Sequence, residues 1–170
     1  MARLWVALLT AASAATTLVL ACATPFAALA AIAATRLPAR DGAALIVAAW
    51  AVSQAIGFGL LGYPRDPVTI AWGGAMLSAV LAALVVARHA AAAITTGGAL
   101  RLATAYGAGF LAYKLVLFGW SLLLGGVHTA ASPYWTARQF GQEAVILAGL
   151  VALYHLLVRL GVPAAHRAAA

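Results

Sequence analysis

The residue most able to do chemistry in a membrane is Lys114, the single lysine of the chain, which lies in the middle of an apolar segment from Leu102 to Leu124. A charged ammonium at membrane depth costs at least a few kcal/mol, so it is usually paired or functional. The sequence offers three partners for it: a bound ligand or ion, an acidic residue of another subunit, or nearby backbone carbonyls. Lys114 is therefore the first candidate for ligand binding or ion conduction.

Four other polar residues are candidates for the same site as Lys114. Ser53 and Gln54 fall near the middle of an earlier apolar segment, and they would share a site with Lys114 if the two segments touch. Ser121 follows Lys114 by seven residues on one stripe of the helix, and Tyr113 precedes Lys114 directly. An ammonium, an amide and hydroxyls suit an anionic or carbonyl-bearing ligand. The structural alternative is that Gln54 and Lys114 only form hydrogen bonds between helices.

Glu143 and His155 are supporting candidates. Glu143 is the only glutamate, but we expect it to begin the fifth helix near the outer surface, at a depth about 15 Å from Lys114. On that expectation Glu143 caps its helix and pairs with Arg138. His155 and His89 lie on different helices, which is the arrangement that haem ligation needs, although His89 is expected among the lipid headgroups. No cofactor and no metal are predicted, and haem through His155 is the alternative.

The segments that carry these residues are predicted to be membrane-spanning helices. The chain has 170 residues, of which 66% are hydrophobic and 8% charged, with a mean hydropathy of +1.04, whereas a soluble domain carries about 25% charged residues. Long apolar runs suit helices, because backbone groups in lipid must be hydrogen-bonded internally. The runs also lack the alternation of apolar and polar residues that is typical of barrel strands. The sequence predicts one all-α domain over residues 1–162, a helical bundle with spans at 4–34, 43–62, 68–86, 102–124 and 142–162, and a flexible tail at 163–170.

The connections between spans carry recognisable start signals. Asp66 followed by Pro67 has the chemistry of a helix cap and first helical position, which predicts the start of the third span. That span ends at residue 86 or, alternatively, extends to residue 93. Ser132 followed by Pro133 predicts a short interfacial helix within 127–141, before the fifth span.

The first span is longer than one perpendicular crossing needs, and Pro25 is its expected kink. Residues 21–23, Ala-Cys-Ala, resemble a signal-peptidase site. We expect the first span to be retained, because the apolar run continues well beyond that site.

Arginines and aromatic residues predict the orientation. Six arginines fall on one side of this topology and three on the other, so the positive-inside rule predicts an N-terminus outside and a C-terminus in the cytoplasm. Large aromatic residues, Trp5 among them, are expected near the outer face, where they form either an interfacial belt or an outer vestibule or docking surface. The residues of that predicted vestibule are Tyr63, Trp72, Trp120, Tyr134 and Trp135.

These features predict a small polytopic protein of the bacterial cytoplasmic (inner) membrane. It would bind or transport a small solute or ion, as a homo-oligomer or with other membrane subunits. The alternative is a non-catalytic accessory or assembly subunit of a larger membrane complex. The net charge of +7 does not indicate nucleic acid, because the basic residues are scattered at segment ends and suit the bilayer surface. The chain has no P-loop and no H-E-x-x-H metal motif, which disfavours an enzyme.

Overall fold

The computed structural model describes residues 4–11, 25–95 and 97–161, and every regular element in these ranges is a helix. Four helices (α3, α4, α5 and α7 below) have the length and apolar composition of membrane spans. The predicted all-α fold built on apolar helices is therefore confirmed for the part of the chain that is described. The helices are α1 (4–11), α2 (Phe26–Arg36), α3 (Ala39–Gly59), α4 (Pro67–Ala93), α5 (Gly98–Leu124), α6 (Val127–Ala130) and α7 (Pro133–Arg159).

The predicted spans agree best with the helices in the middle of the chain. The Asp66 carboxylate accepts hydrogen bonds from the backbone N–H groups of Val68 and Thr69, at 2.9 and 3.0 Å, and Pro67 is the first helical residue. The predicted start of α4 is confirmed, and the helix extends to Ala93.

The fifth span differs most from its prediction. α7 begins at Pro133 and continues for 27 residues without a break, because Ser132 supplies the cap and nothing in the following residues ends the helix. The separate interfacial helix predicted within 127–141 is wrong: its first part is the four-residue α6, and the rest belongs to α7. This shift moves Glu143 from the start of a helix to its interior.

The first predicted span, 4–34, is not one continuous helix among the described residues. Pro25 lies outside helical structure, and α2 begins directly after it, so the expected kink is the start of a separate 11-residue helix. Residues 12–24, with the sequence that resembles a signal-peptidase site, lie outside the described residues. So do residues 162–170, which include the predicted tail.

α2 is the centre of the bundle. Every residue from Phe26 to Ala34 is buried, and the helix packs against α3, α4, α5 and α7. An 11-residue helix is about 16 Å long, roughly half of a 30 Å hydrocarbon core. Its first residue, Phe26, lies beside Tyr113, near the middle of α5, with 6.1 Å between the ring centroids. α2 is thus a half-length helix that starts inside the bundle.

The two ends of the bundle differ in composition. One end, here called the α6 end, contains the 60–66 connection and α6. The other, here called the arginine end, contains the α2–α3 junction, the 94–97 connection and the end of α7. The arginines of the arginine end among the described residues are Arg36, Arg40, Arg88, Arg101 and Arg159, against Arg65 and Arg138 at the α6 end.

Trp5 lies at the arginine end, so its predicted place among the outer aromatic residues is wrong. Its ring packs on Tyr154, near the end of α7, with a centroid separation of 4.6 Å. The other aromatic residues of that predicted group lie at the α6 end.

Candidate functional site

The carboxylate of Glu143 lies inside the protein, at the N-terminus of α2. One oxygen accepts hydrogen bonds from the backbone N–H groups of Ala27, at 2.8 Å, and Ala28, at 3.3 Å. The other oxygen accepts from the Nε2 amide of Gln139 at 3.0 Å, and only 1% of the Glu143 surface is exposed. The first N–H groups of a helix lack partners within that helix, and its positive end favours an anion. Glu143 therefore caps α2 rather than its own helix.

Lys114, on α5, is a positive charge at about the same depth in the bundle as this carboxylate. The two charged groups are close enough to interact electrostatically, although among the described residues they form no ion pair within 4 Å. Lys114 and Glu143 are each ten residues from the helix ends that α6 joins. The predicted 15 Å difference in depth is therefore wrong, because it assumed that the last helix begins near residue 142. The structure places at one depth the two residues that the predicted spans separate.

Arg138 does not take the predicted place beside Glu143. Its guanidinium lies over the ring of Trp135, 5.4 Å from the centroid. Arg138 is thus held at the exposed start of α7, while Glu143 lies deeper along the same helix.

A second charged residue holds the other end of α2. The Nη2 atom of Arg88, in α4, donates to the carbonyl oxygens of Ala33, Leu37 and Pro38 at 3.0–3.3 Å. A cation is favourable at a helix C-terminus because the last carbonyls lack partners within the helix. α2 therefore has a carboxylate from α7 at its positive end and a guanidinium from α4 at its negative end.

Ser53 and Gln54 make their contacts on the α3–α4 side of the bundle. Gln54 donates to the Ser53 hydroxyl at 3.3 Å, and that hydroxyl donates to the Trp50 carbonyl at 2.7 Å. The amide oxygen of Gln54 lies against Gly73 of α4. The hydrogen bond that Gln54 donates stays within α3, its contact with α4 is by packing, and neither joins Gln54 to Lys114.

Ser121 and Tyr113 lie on buried faces of α5. Ser121 is fully buried, and its hydroxyl donates to the Phe118 carbonyl of its own helix at 2.7 Å. Tyr113 packs against the start of α2 and is near enough to Glu143 to interact with its charge. Of these two predicted residues, only Tyr113 adjoins the Glu143–Lys114 pair.

The predicted vestibule residues lie close to the α6 end, in the 60–66 connection or near helix ends. The Trp120 indole donates to the Ser78 hydroxyl at 2.9 Å, which ties α5 to α4. Tyr134 and Trp135 are exposed at the start of α7, with their rings 5.2 Å apart. Tyr63 packs its ring on Gly57, and Trp72 lies beside Gly126. The choice between a belt and a vestibule stays a prediction.

The two histidines considered for haem have separate surroundings. The Nδ1 atom of His89 lies 2.8 Å from the Val85 carbonyl of its own helix. His155, on α7, packs edge-on against Tyr154. Within the described ranges, no three residues of the His, Cys, Asp or Glu types group together as metal ligands would.

Sequence reasoning missed Gln139 and the exposed N–H groups of α2 as partners of Glu143. A signal for Gln139 was present, since Gln139 and Glu143 are spaced four residues apart and share a helix face. This spacing predicts a contact only if α7 begins before residue 139. For the contact of Glu143 with Ala27 and Ala28, the only sequence signal is Pro25. A proline marks a helix boundary, but it does not show how deep in the bundle that boundary lies.

In the comparisons with known proteins, no family model, no curated protein and no solved structure matches this chain.

Proposed function

We propose that the protein is a membrane carrier that moves a small anionic solute together with protons, and that Glu143, Lys114 and Gln139 at the start of α2 form its binding site. Ionisable residues at membrane depth are rare, and they mark ion and proton pathways in many transporters. Half-length helices that start near the bilayer midplane form substrate sites in several transporter folds. This protein has both features at the same place.

The observation that carries the proposal is the set of donors around the Glu143 carboxylate. Two backbone N–H groups, one side-chain amide and one nearby ammonium all favour an anion. A bound metal cation would meet donors there instead of acceptors. The carboxylate of a small solute presents the same two oxygens as Glu143 and suits the same donors.

Proton coupling follows from competition for these donors. When Glu143 binds a proton, its carboxyl group loses the negative charge that strengthens its hydrogen bonds. The α2 N–H groups and Lys114 then become available to a solute anion, which restores the charge balance of the site. When the solute and the proton leave, the Glu143 carboxylate accepts the same hydrogen bonds again. One anion and one proton enter the site together, so its net charge is unchanged.

The arginine end is the proposed cytoplasmic end. Five of the seven arginines among the described residues lie there, and the positive-inside rule assigns such an end to the cytoplasm. In this orientation the last helix ends in the cytoplasm, as the sequence predicts, whereas α1 begins on the same side and not outside, where the sequence predicts the N-terminus. The proposed location is the bacterial cytoplasmic membrane.

The test is solute-dependent proton entry into vesicles. Purified protein is reconstituted into liposomes that contain the pH dye pyranine, and pyruvate, succinate or glutamate is added outside at constant external pH. We expect at least one of these carboxylates to acidify the lumen faster than in protein-free liposomes. Glu143→Gln and Lys114→Ala should lose this acceleration, whereas Gln142→Ala, at the exposed neighbouring position, should keep it. The proposal is wrong if no carboxylate gives protein-dependent acidification, or if Glu143→Gln behaves like the wild type.

A second candidate function is that of an accessory subunit of a larger membrane complex. One observation favours it: α7 exposes large apolar residues along its length, including Val145, at 73% exposure, and Leu156, at 54%. Another membrane protein could cover that face instead of lipid. The mass and composition of the complex purified in mild detergent test this candidate. A stoichiometric second protein that is lost in Val145→Ser would support it, and a mass that fits only copies of this chain would exclude it.

A further inference from the structure

The arginine end has a crevice that is separate from the Glu143 site. The C-terminal half of α2, the start of α5 and the last turns of α7 form its walls, and its lining residues are Ile32, Arg36, Leu102, Val151 and Tyr154. Three of these side chains are aliphatic, one is aromatic and one is a cation. The crevice is therefore apolar inside and carries one fixed positive charge.

Arg36 is held in this crevice by the face of an aromatic ring. Its guanidinium lies over Tyr154 with 5.0 Å to the ring centroid, an attractive arrangement for a cation and an aromatic ring. No residue in the described ranges accepts a hydrogen bond from Arg36. A guanidinium carries five N–H donors in its plane. Among the described residues nothing occupies these donors, which leaves them available for an oxyanion.

The surroundings of Arg36 add positive charge. Arg40 and Arg159 are exposed at the same end of the bundle, and Asp41 is the acidic residue of that end in the described ranges. Arg101 directly precedes the lining residue Leu102, and its Nε atom is buried without a hydrogen-bond partner in the described part of the chain. Basic pockets between membrane helices on the cytoplasmic side suit anionic lipid headgroups.

We propose that this crevice binds an anionic phospholipid of the surrounding membrane, with the lipid phosphate on the Arg36 guanidinium and the acyl chains outside the crevice, in the membrane beside the partly exposed Leu102 and Val151. The charge and the position of the crevice determine which ligand fits it. The apolar walls lie at the end of membrane-spanning helices, where acyl chains are at hand, and the fixed cation matches a phosphodiester. The planar fork of arginine is also the side chain best suited to phosphate oxygens. The proposal does not depend on the carrier function.

The test is lipid retention by the purified full-length protein. Delipidated protein in mild detergent is titrated with phosphatidylglycerol or phosphatidylcholine, and bound lipid is counted by native mass spectrometry. We expect the wild type to retain phosphatidylglycerol in preference to phosphatidylcholine. Arg36→Gln should weaken phosphatidylglycerol retention about fivefold or more, since one arginine near an anionic surface contributes about 1 kcal/mol.

Three controls make the outcome decisive. Arg65→Gln removes an exposed arginine at the α6 end and should leave retention unchanged. Arg36→Lys keeps the charge without the planar fork and should fall between the wild type and Arg36→Gln. Far-ultraviolet circular dichroism confirms that each variant is folded. Equal retention of the two lipids, equal losses in Arg36→Gln and Arg65→Gln, or displacement of the lipid by millimolar inorganic phosphate would each overturn the proposal.

Discussion

The carboxylate of Glu143 accepts a hydrogen bond of 2.8 Å from the backbone N–H of Ala27, a residue 116 positions earlier in the chain. This bond joins the last long helix to the first residues of the buried helix α2. A helix that starts inside an apolar bundle has backbone N–H groups without hydrogen-bond partners, and burying such donors away from water is costly. The Glu143 carboxylate supplies the missing acceptor. The same bond makes Glu143 both a structural cap and the proposed proton-binding group.

Glu143→Ala should destabilise the protein strongly. The change removes the partner of two backbone N–H groups and one amide, and it leaves the positive charge of Lys114 without its anion. Each buried donor left without a partner typically costs about 1–3 kcal/mol. Unfolding of the purified protein in detergent, followed by circular dichroism, measures the loss. Gln142→Ala changes an exposed neighbour on the same helix and should be nearly neutral, so an equal loss in both variants would contradict the assignment.

The relation between Glu143 and Lys114 shows what the sequence could predict. The helices themselves follow from apolar composition, and the start of α4 follows from the Asp66–Pro67 pair. The start of α7 was also marked, by Ser132 and Pro133, but the polar and aromatic residues after it resemble an interfacial segment. The prediction starts this helix at residue 142 instead of residue 133, and it therefore places Glu143 at a helix end near the surface instead of in the core. Its contact with Ala27 depends on long-range packing that no local pattern records.

Arg88→Ala should loosen the C-terminal end of α2. Three carbonyl oxygens would lose a charged donor. The Ala33 and Pro38 oxygens keep a backbone donor, whereas the Leu37 oxygen would have none in the described part of the chain, and a buried acceptor left without a partner costs about 1–3 kcal/mol. We expect a lower midpoint of unfolding and faster hydrogen–deuterium exchange in residues 33–38, measured by mass spectrometry of peptides. Arg88→Lys should recover part of the protection, because it keeps the charge at the helix terminus.

Gly42→Ala offers an independent way to disturb the Arg88 contact. A Cβ atom at Gly42 would clash with the Nη2 atom of Arg88 and press against Ala33. The variant should therefore increase exchange in the same residues as Arg88→Ala. Gly59→Ala, in the same helix, adds a Cβ that meets nothing within 4 Å, and it should leave exchange there unchanged. If Gly42→Ala leaves residues 33–38 as protected as in the wild type, Arg88 does not depend on the space at Gly42.

The approach of α4 and α5 depends on Gly109. A Cβ atom there would lie 3.3 Å from both the Ala83 carbonyl oxygen and the Ala87 methyl group, so Gly109→Ala requires α4 to give way by a few tenths of an ångström. Added atoms in a tightly packed interface typically cost about 1–3 kcal/mol. Gly107→Ala, two residues away, adds a Cβ that meets nothing within 4 Å, and the better helix propensity of alanine should make it neutral or mildly stabilising. Unfolding midpoints of the two variants in one detergent provide the comparison.

Asp66 should make the stability of the α4 start depend on pH. A hydrogen bond from the Thr69 hydroxyl, at 2.7 Å, together with the backbone N–H groups of Thr69 and Val68, lowers the pKa of Asp66 below its ordinary value of 3.8. A group with a lowered pKa stabilises the fold at pH values above 3.8, and this contribution is lost as the pH falls through the pKa of the folded state.

The pH dependence is measured as the difference in unfolding midpoint between the wild type and Asp66→Ala. This difference should be constant from pH 7 to about pH 5 and should shrink at pH values below 3.8, where Asp66 of the folded protein gains its proton. Asp66→Asn supplies the matched control, because asparagine caps helices about as well as aspartate and does not titrate. The difference between Asp66→Asn and Asp66→Ala should therefore stay constant over the same range. If the wild-type advantage persists unchanged to pH 2.5, the ionised carboxylate is not what stabilises the start of α4.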